Sequence, residues 1–441
     1  MMLLRRKSFS LFAVLAVLLL VFMSLTCASQ NTAYENDDGA VPQAWETGST
    51  PKGLAKVTAP VVYRVNTPAA GNYPQGLYKY IFKEGDLYIK NAFVQTLEWF
   101  PAIHKTFLAN TEYTAKLTLD PIDTGKTFKG MLQNEISGLP AQNVKSITAK
   151  TVNDSLVIYI AFNATESQNV PARILFEDTF TGNRLDTSKW NTSPEWNYRH
   201  GRTSWRSDMV EVGGGNLHIK FRRDTELGNI HARESRWNAR YTREQNANSY
   251  IRSGGVRTIG TDYNRRMFEH SYGWYEARIK FPAHHGVGAA FWLMSVTIGS
   301  SGKGEIGSEI DILETIGNIY GTYYHSVHWN YEGGGDPQKH QDVFYTGENN
   351  VPRIYDGNFH VIALDWSPGE YVFYINGIKT YTIVPGKEGS NDEIAIMQNP
   401  AYMKLSAEAA DWDDQLADNF VQDTVLVDYV RVYNQPRIVN Q

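Results

Sequence analysis

The sequence predicts an all-β protein made of a small N-terminal sandwich and a larger β-sandwich or barrel. Three observations carry this. Short runs of β-branched and aromatic residues alternate with polar ones between turn residues, long helical periodicity is nearly absent, and the strand signals fall into two blocks separated by "NATESQNVPAR" at 163–173. A chain of 441 residues has room for two or three domains, and 42% apolar with 13% aromatic content fills their cores.

Residues 1–29 read as a removable export signal. "MMLLRRKSFS" is the basic start, "LFAVLAVLLLVFM" an apolar run short for a membrane span, and "SLTCAS" a cleavage region of small residues. Cys27, the only cysteine, lies at its end, so the folded part has no disulfide and no cysteine metal site. Cys27 stands equally for lipid attachment or for simple cleavage nearby, and the expected location is secreted, cell-surface or periplasmic. Losing Arg5, Arg6 and Lys7 takes the formal charge from −5 to −8, a poor balance for binding nucleic acid or anionic membrane. Residues 30–58, polar and rich in Gly, Pro and Asp, read as a flexible tether.

Between 59 and 167, "DLYIKNAF", "TEYTAKLTL", "VKSITAKTV" and "SLVIYIAF" predict an antiparallel sandwich. The segment "WFPAIHKTFLANTEYTAKLTL" gives it a resemblance to immunoglobulin-like modules of bacterial surface proteins. No chemistry is evident in it; His104 reads as a surface residue, and the module as a self-folding spacer. From 172 to 434, "NLHIKF", "WYEARIKF", "AAFWLM", "EIDILE", "HSVHW", "FHVIALDW", "YVFYING", "KTYTI" and "VLVDYVRVY" recur at close spacing. Nine of the 11 tryptophans lie here, more than one core needs, and flat aromatic rings suit apolar sugar faces.

The chemistry concentrates in "GSEIDILETIG", Gly307 to Gly317, where three carboxylates interrupt an apolar strand. Buried acids are costly unless paired or functional. Side chains alternate, so Glu309 and Asp311 share a face and Glu314 points away. A one-residue bulge at Ile312–Leu313 returns Glu314 to the acidic face and leaves Ile310 with one of Ile312 or Leu313 in the core. Two carboxylates flanking a glycosidic bond are what glycoside hydrolysis requires: one attacks the anomeric carbon and the other protonates the leaving oxygen. The third biases their pKa values.

With "LFEDTFTGNRLDTSKW", "GNLHI", "SGGVRT", "YGWYEARIKFP", "AAFWLM", "SEIDILETIG", "SVHW" and "VLVDYVRVY" in this order, some 260 residues resemble the family 16 glycoside hydrolases. These are β-jelly-roll enzymes that cleave β-linked polysaccharides with retention. The extra residue resembles the bulged form of laminarinases, agarases and carrageenases. The resemblance implies Glu309 as nucleophile, Glu314 as general acid/base, Asp311 as the carboxylate hydrogen-bonded to the nucleophile, and His328 beside them. It implies Trp292, Trp329 and Trp196 as sugar-binding aromatics. It also implies a structural calcium on Gly215, Asp428 and the Thr179 carbonyl, no catalytic cofactor, and a monomer. The long approach "SVTIGSSGKGEIGSEIDILE", without a Trp-Pro step, and the "AAFW" form lean toward galactan-cleaving branches, with β-1,3- and mixed-linkage glucans still open. Two other readings share these residues: a carbohydrate-binding protein without catalysis, which the retained three carboxylates disfavour, and a transglycosylase. No Gly-x-Ser-x-Gly elbow, zinc motif or phosphate loop competes.

Overall fold

The computed structural model describes residues 41–437 except 59, 61, 63–64, 77–92, 122, 193–195, 232–241, 262–264, 283–285, 299–303, 316–321, 330–338, 347–352, 386–393 and 411–414. Side chains are described for these residues apart from 93–95, 196–198, 322 and 339–346. The export signal, Cys27, residues 30–40 of the tether and the run 86–92 lie outside the described residues. Ala44–Gln441 forms one compact unit.

The N-terminal part of that unit is a five-stranded sheet ordered 45–46, 144–152, 155–162, 114–121, 93–100, with a two-stranded ladder of 55–56 and 126–127. Alternation in Thr114–Pro121 turns Ala115, Leu117 and Leu119 inward, where they meet Phe128, Ile158 and Ile160. The tether expectation fails from Ala44 onward. Trp45 pairs in parallel with Ala149 and donates its indole N–H to the Met131 carbonyl at 2.7 Å, and Val57 lies in the module's core. A few apolar residues in a polar stretch are enough to cover one sheet edge, and they leave no period to read.

The spacer expectation changes as well, because residues 70–76 are seated on the larger domain. Tyr73 is part of that domain's core, and its hydroxyl donates to Asp365 Oδ1 at 2.6 Å while Lys105 Nζ meets Asp365 Oδ2 at 2.7 Å. Backbone bonds join Tyr73 N–H to the Asn434 carbonyl and Gly369 N–H to that of His104, itself an exposed residue as expected. At Gly76 an added Cβ falls 2.3 Å or less from Ser271 and the Gln398 carbonyl, so no side chain fits.

The larger domain is two sheets on one core, as the strand spacing predicts. Eleven strands run 196–199, 203–205, 251–253, 216–223, 422–433, 273–280, 360–366, 371–375, 378–383, with 210–213 on 216–223 and 174–178 on 422–433. The second sheet has seven: β1 (Asn191–Thr192), β2 (Gly255–Arg257), β3 (Gly288–Met294), β4 (Ser308–Thr315), β5 (Thr322–Trp329), β6 (Lys339–Thr346) and β7 (Tyr402–Glu408), in the spatial order β6-β5-β4-β3-β7-β2-β1. Phe291, Leu293, Ile310, Val327 and Leu405 point from it into the core against Tyr275, Ile279, Trp366, Phe373 and Val427. The outer face of the seven-stranded sheet is left for polar side chains. Two short helices, Thr225–His231 and Arg243–Asn248, are too brief to show a helical period; Thr242 caps the second, its hydroxyl accepting from Gln245 N–H at 3.2 Å.

Candidate active site

Directly opposed residues share a sheet face, so the strand register locates the site. Across β3, β4 and β5 the rows on the outer face are Met294, Glu309 and His328, then Trp292, Asp311 and Ser326, then Ala290, Glu314 and Tyr324. From Asp311 to Glu314, β4 advances three residues while β5 advances two. The extra residue is the expected bulge, and it brings all three acids to one face. Ile312 and Leu313 are both buried in the core, where alternation allowed one of them: the bulge doubles the inward positions locally.

Asp311 is buried and its Oδ2 lies 3.1 Å from His328 Nε2. Glu309 and Glu314 keep partial access to solvent. Burial, then the charge of Asp311, raises the Glu309 carboxyl to about 7, with His328, Lys404 and Arg199 opposing. Burial, then Asp311 and Glu408, holds Glu314 well above the ordinary range. Asp311 thus acts on both neighbours by repulsion. Glu309, Asp311 and His328 each place one ligand-type atom within 4.8 Å of the others, an arrangement that also suits a small cation.

Trp292 lies on the outer face as expected, beneath a cationic cover. Lys404 Nζ stands 3.3 Å from its ring centroid, the Arg199 guanidinium 5.8 Å, and its indole donates to Ser406 Oγ at 3.1 Å. Arg199 also stacks on Trp205 at 4.3 Å and pairs with Glu408. Burial, then Arg199, pushes the Lys404 ammonium well below its usual range. Arg199, Trp205, Lys404 and Glu408 escaped the sequence reading. The signal for two of them was present: in "YMKLSAE", Tyr402, Lys404, Ser406 and Glu408 alternate with buried Met403, Leu405 and Ala407, the pattern that singled out β4.

Trp329 is a correction. It pairs with Ser308, one step out of phase with Glu309 and His328, and is fully buried in the core, so it cannot touch a sugar. The backbone of Trp196 opens the strand 196–199, and its side chain lies outside the described residues. The calcium donor set fits poorly. Asp428 is the extra residue where Arg278 pairs with Tyr429 and Ile279 with Val427, and its Oδ2 meets Arg278 Nη1 at 2.6 Å. Gly215 sits in the hairpin turn 213–216 and Thr179 follows the strand 174–178. The neighbouring Asp178 accepts from Phe180 N–H and Trp190 Nε1–H, both at 2.9 Å. The set's single carboxylate is held by a guanidinium, which an ion must displace.

Residues 175–435 match the family model described as "Beta-porphyranase A-D, GH16 domain". The chain belongs to glycoside hydrolase family 16. Its curated relatives include "Glucan endo-1,3-beta-glucosidase A1" of Niallia circulans, 24% identical over 59% of this chain and 38% of that protein. "Keratan-sulfate endo-1,4-beta-galactosidase" of Sphingobacterium multivorum is 24% identical over 63% of this chain and 59% of that protein. "Beta-porphyranase E" of Zobellia galactanivorans is 24% identical over 58% of this chain and 85% of that protein. The chain therefore spans less than two thirds of the length of the first two relatives.

Proposed function

We propose that the protein is a retaining endo-β-glycanase in which Glu309 is the nucleophile and Glu314 the general acid/base. The observation that carries this is the bulge that sets Glu309, Asp311 and Glu314 side by side on the outer face. Glu314, held well above the ordinary carboxylate range by burial and by Asp311, keeps its proton for the leaving oxygen. Glu309, near 7 and relieved by His328, Lys404 and Arg199, ionises to attack the anomeric carbon. Water, deprotonated by Glu314, then releases the sugar from Glu309. A sugar hydroxyl in place of water gives transglycosylation on the same residues. Trp292 and Trp205 are buried beneath Lys404 and Arg199, so these rings back the cationic groups that face the sugar rather than touching it themselves.

Of the substrates that the relatives' names print, a β-1,3-glucan, keratan sulfate and porphyran, we favour a β-linked galactan, in line with the matched family and the "AAFW" strand. Export through residues 1–29, with Cys27 as the point of cleavage or lipid attachment, belongs to the same reading. Product analysis on a panel of agarose, carrageenan, porphyran, β-1,3-glucan and mixed-linkage glucan tests the substrate. Turnover of Glu309→Ala and Glu314→Ala tests the site: each falls by several orders of magnitude, and near-normal turnover of either, or no cleavage of any polysaccharide by the unaltered chain, refutes the proposal.

A further inference from the structure

We infer that His325 is a positioning residue that pins the catalytic bulge from the core side and, through it, holds the Glu314 carboxyl at the outer face. A bulge takes one residue out of the ladder, and here that residue is Ile312: Leu313 pairs with Phe291 and Asp311 with Trp292, leaving Ile312 without an opposite number on β3. Its carbonyl faces the core, where an unpaired acceptor is costly. His325 supplies the partner. It projects from β5 on the core side, opposite in phase to Tyr324, Ser326 and His328, is fully buried, and its Nδ1 lies 2.6 Å from the Ile312 oxygen.

The ring's other nitrogen reaches the facing sheet. Nε2 lies 2.8 Å from Thr380 Oγ1, which is itself 3.0 Å from the Phe373 carbonyl. Thr380 is also an extra residue, because Phe373 pairs with Tyr381 and Tyr374 with Lys379. One histidine therefore bridges a bulge in each sheet, stacked on Phe373 at 4.6 Å. A carbonyl only accepts, so Nδ1 carries a proton, and burial, lowering the pKa to about 4, keeps the imidazole neutral, so that the single Thr380 hydroxyl proton serves either Nε2 or the Phe373 carbonyl. A space filled only for packing suits Leu or Phe; a buried imidazole aligned on two irregular backbone points fixes geometry as well. The fixed geometry is that of Ile312–Leu313, which decides the face on which Glu314 stands.

This inference rests on Glu314 being the general acid, and the test separates the two claims. Two substrates are compared by kcat/KM, which reports the steps through formation of the glycosyl-enzyme. One is the polysaccharide that the unaltered chain cleaves, whose leaving oxygen needs a proton. The other is a dinitrophenyl β-glycoside of the same sugar, whose leaving group needs none. His325→Phe should lower kcat/KM on the polysaccharide roughly 10- to 100-fold, as expected for a misplaced catalytic group, and leave the aryl glycoside within about threefold. His325→Asn, which keeps an N–H donor near the Nδ1 position, should recover most of the loss. An equal fall on both substrates with no recovery in His325→Asn, or a fall on neither, overturns the inference. Should His325→Phe fail to fold, Thr380→Val carries the test: the polysaccharide-to-aryl ratio drops several-fold, and an unchanged ratio overturns it. An unaltered chain that cleaves neither substrate defeats the enzyme reading itself, and this inference with it.

Discussion

Tyr73→Phe removes one hydroxyl from a contact between the N-terminal module and the catalytic domain. That hydroxyl donates at 2.6 Å to Asp365, a carboxylate 1% exposed whose other oxygen takes Lys105 at 2.7 Å. A hydrogen bond to a buried charge contributes about 1.5–3 kcal/mol, and the benzyl ring of Phe keeps the packing, so the loss should be about 2 kcal/mol. At about 2–4 °C per kcal/mol for a domain of this size, the melting temperature should fall by about 4–8 °C. The sign with pH follows from Asp365. Burial raises its carboxyl, and Lys105 and Tyr73 act to lower it, so the Tyr73 bond favours the ionised form. Its contribution is therefore present above the Asp365 pKa and fades as pH falls through it. Thermal melts of the full chain and of Tyr73→Phe across pH 4 to 8 measure both effects. A difference under about 0.5 kcal/mol at neutral pH, or one that grows toward acid, refutes the claim that this contact seats the module.

Three further outcomes are expected. The kcat/KM profile should be bell-shaped, with its acidic limb near pH 7 from Glu309 and its alkaline limb set by Glu314; a limb near the ordinary carboxylate value of about 4 contradicts the burial argument. Asp311→Asn removes the repulsion that raises both carboxyls, so both limbs should move to lower pH while turnover falls; limbs that stay in place mean Asp311 does not act by charge. Chelators should leave turnover unchanged, and added calcium should leave the melting temperature within about 1 °C, because Arg278 holds Asp428; a calcium-dependent rise lost in Asp428→Ala restores the calcium site, and loss of turnover with chelator assigns a metal to Glu309, Asp311 and His328.

The fold and the acidic row were legible because both rest on alternation, a local property of strands. The bulge followed from the same rule, since three acids at 309, 311 and 314 reach one face only if a residue is inserted. What alternation alone did not give was phase between strands. Trp329 stood one position after His328, and which of the two faced outward was fixed by pairing with Ser308 and Glu309. Arg199, from the eleven-stranded sheet, and Lys404, paired with Trp292 on the neighbouring strand β7, meet at the Trp292 ring through contacts more than 90 residues apart in sequence. The docking of Tyr73 on Asp365, 292 residues away, left no trace in composition: a tyrosine in "GNYPQG" reads as a loop residue until its partner is known. Asp428 fitted the calcium motif by position, and only the register showed Arg278 beside it.

The central claim, that the β4 bulge makes Glu309 the nucleophile and Glu314 the acid/base, is tested most directly by azide rescue with product stereochemistry read by NMR. Without the Glu309 carboxylate, azide enters from the vacated side and attacks the anomeric carbon of an activated β-glycoside directly, so Glu309→Ala should yield the α-glycosyl azide. Without Glu314, the glycosyl-enzyme still forms on Glu309 and azide displaces it, so Glu314→Ala should yield the β-glycosyl azide. The reverse pairing of variants and products, or rescue of neither, would contradict the account.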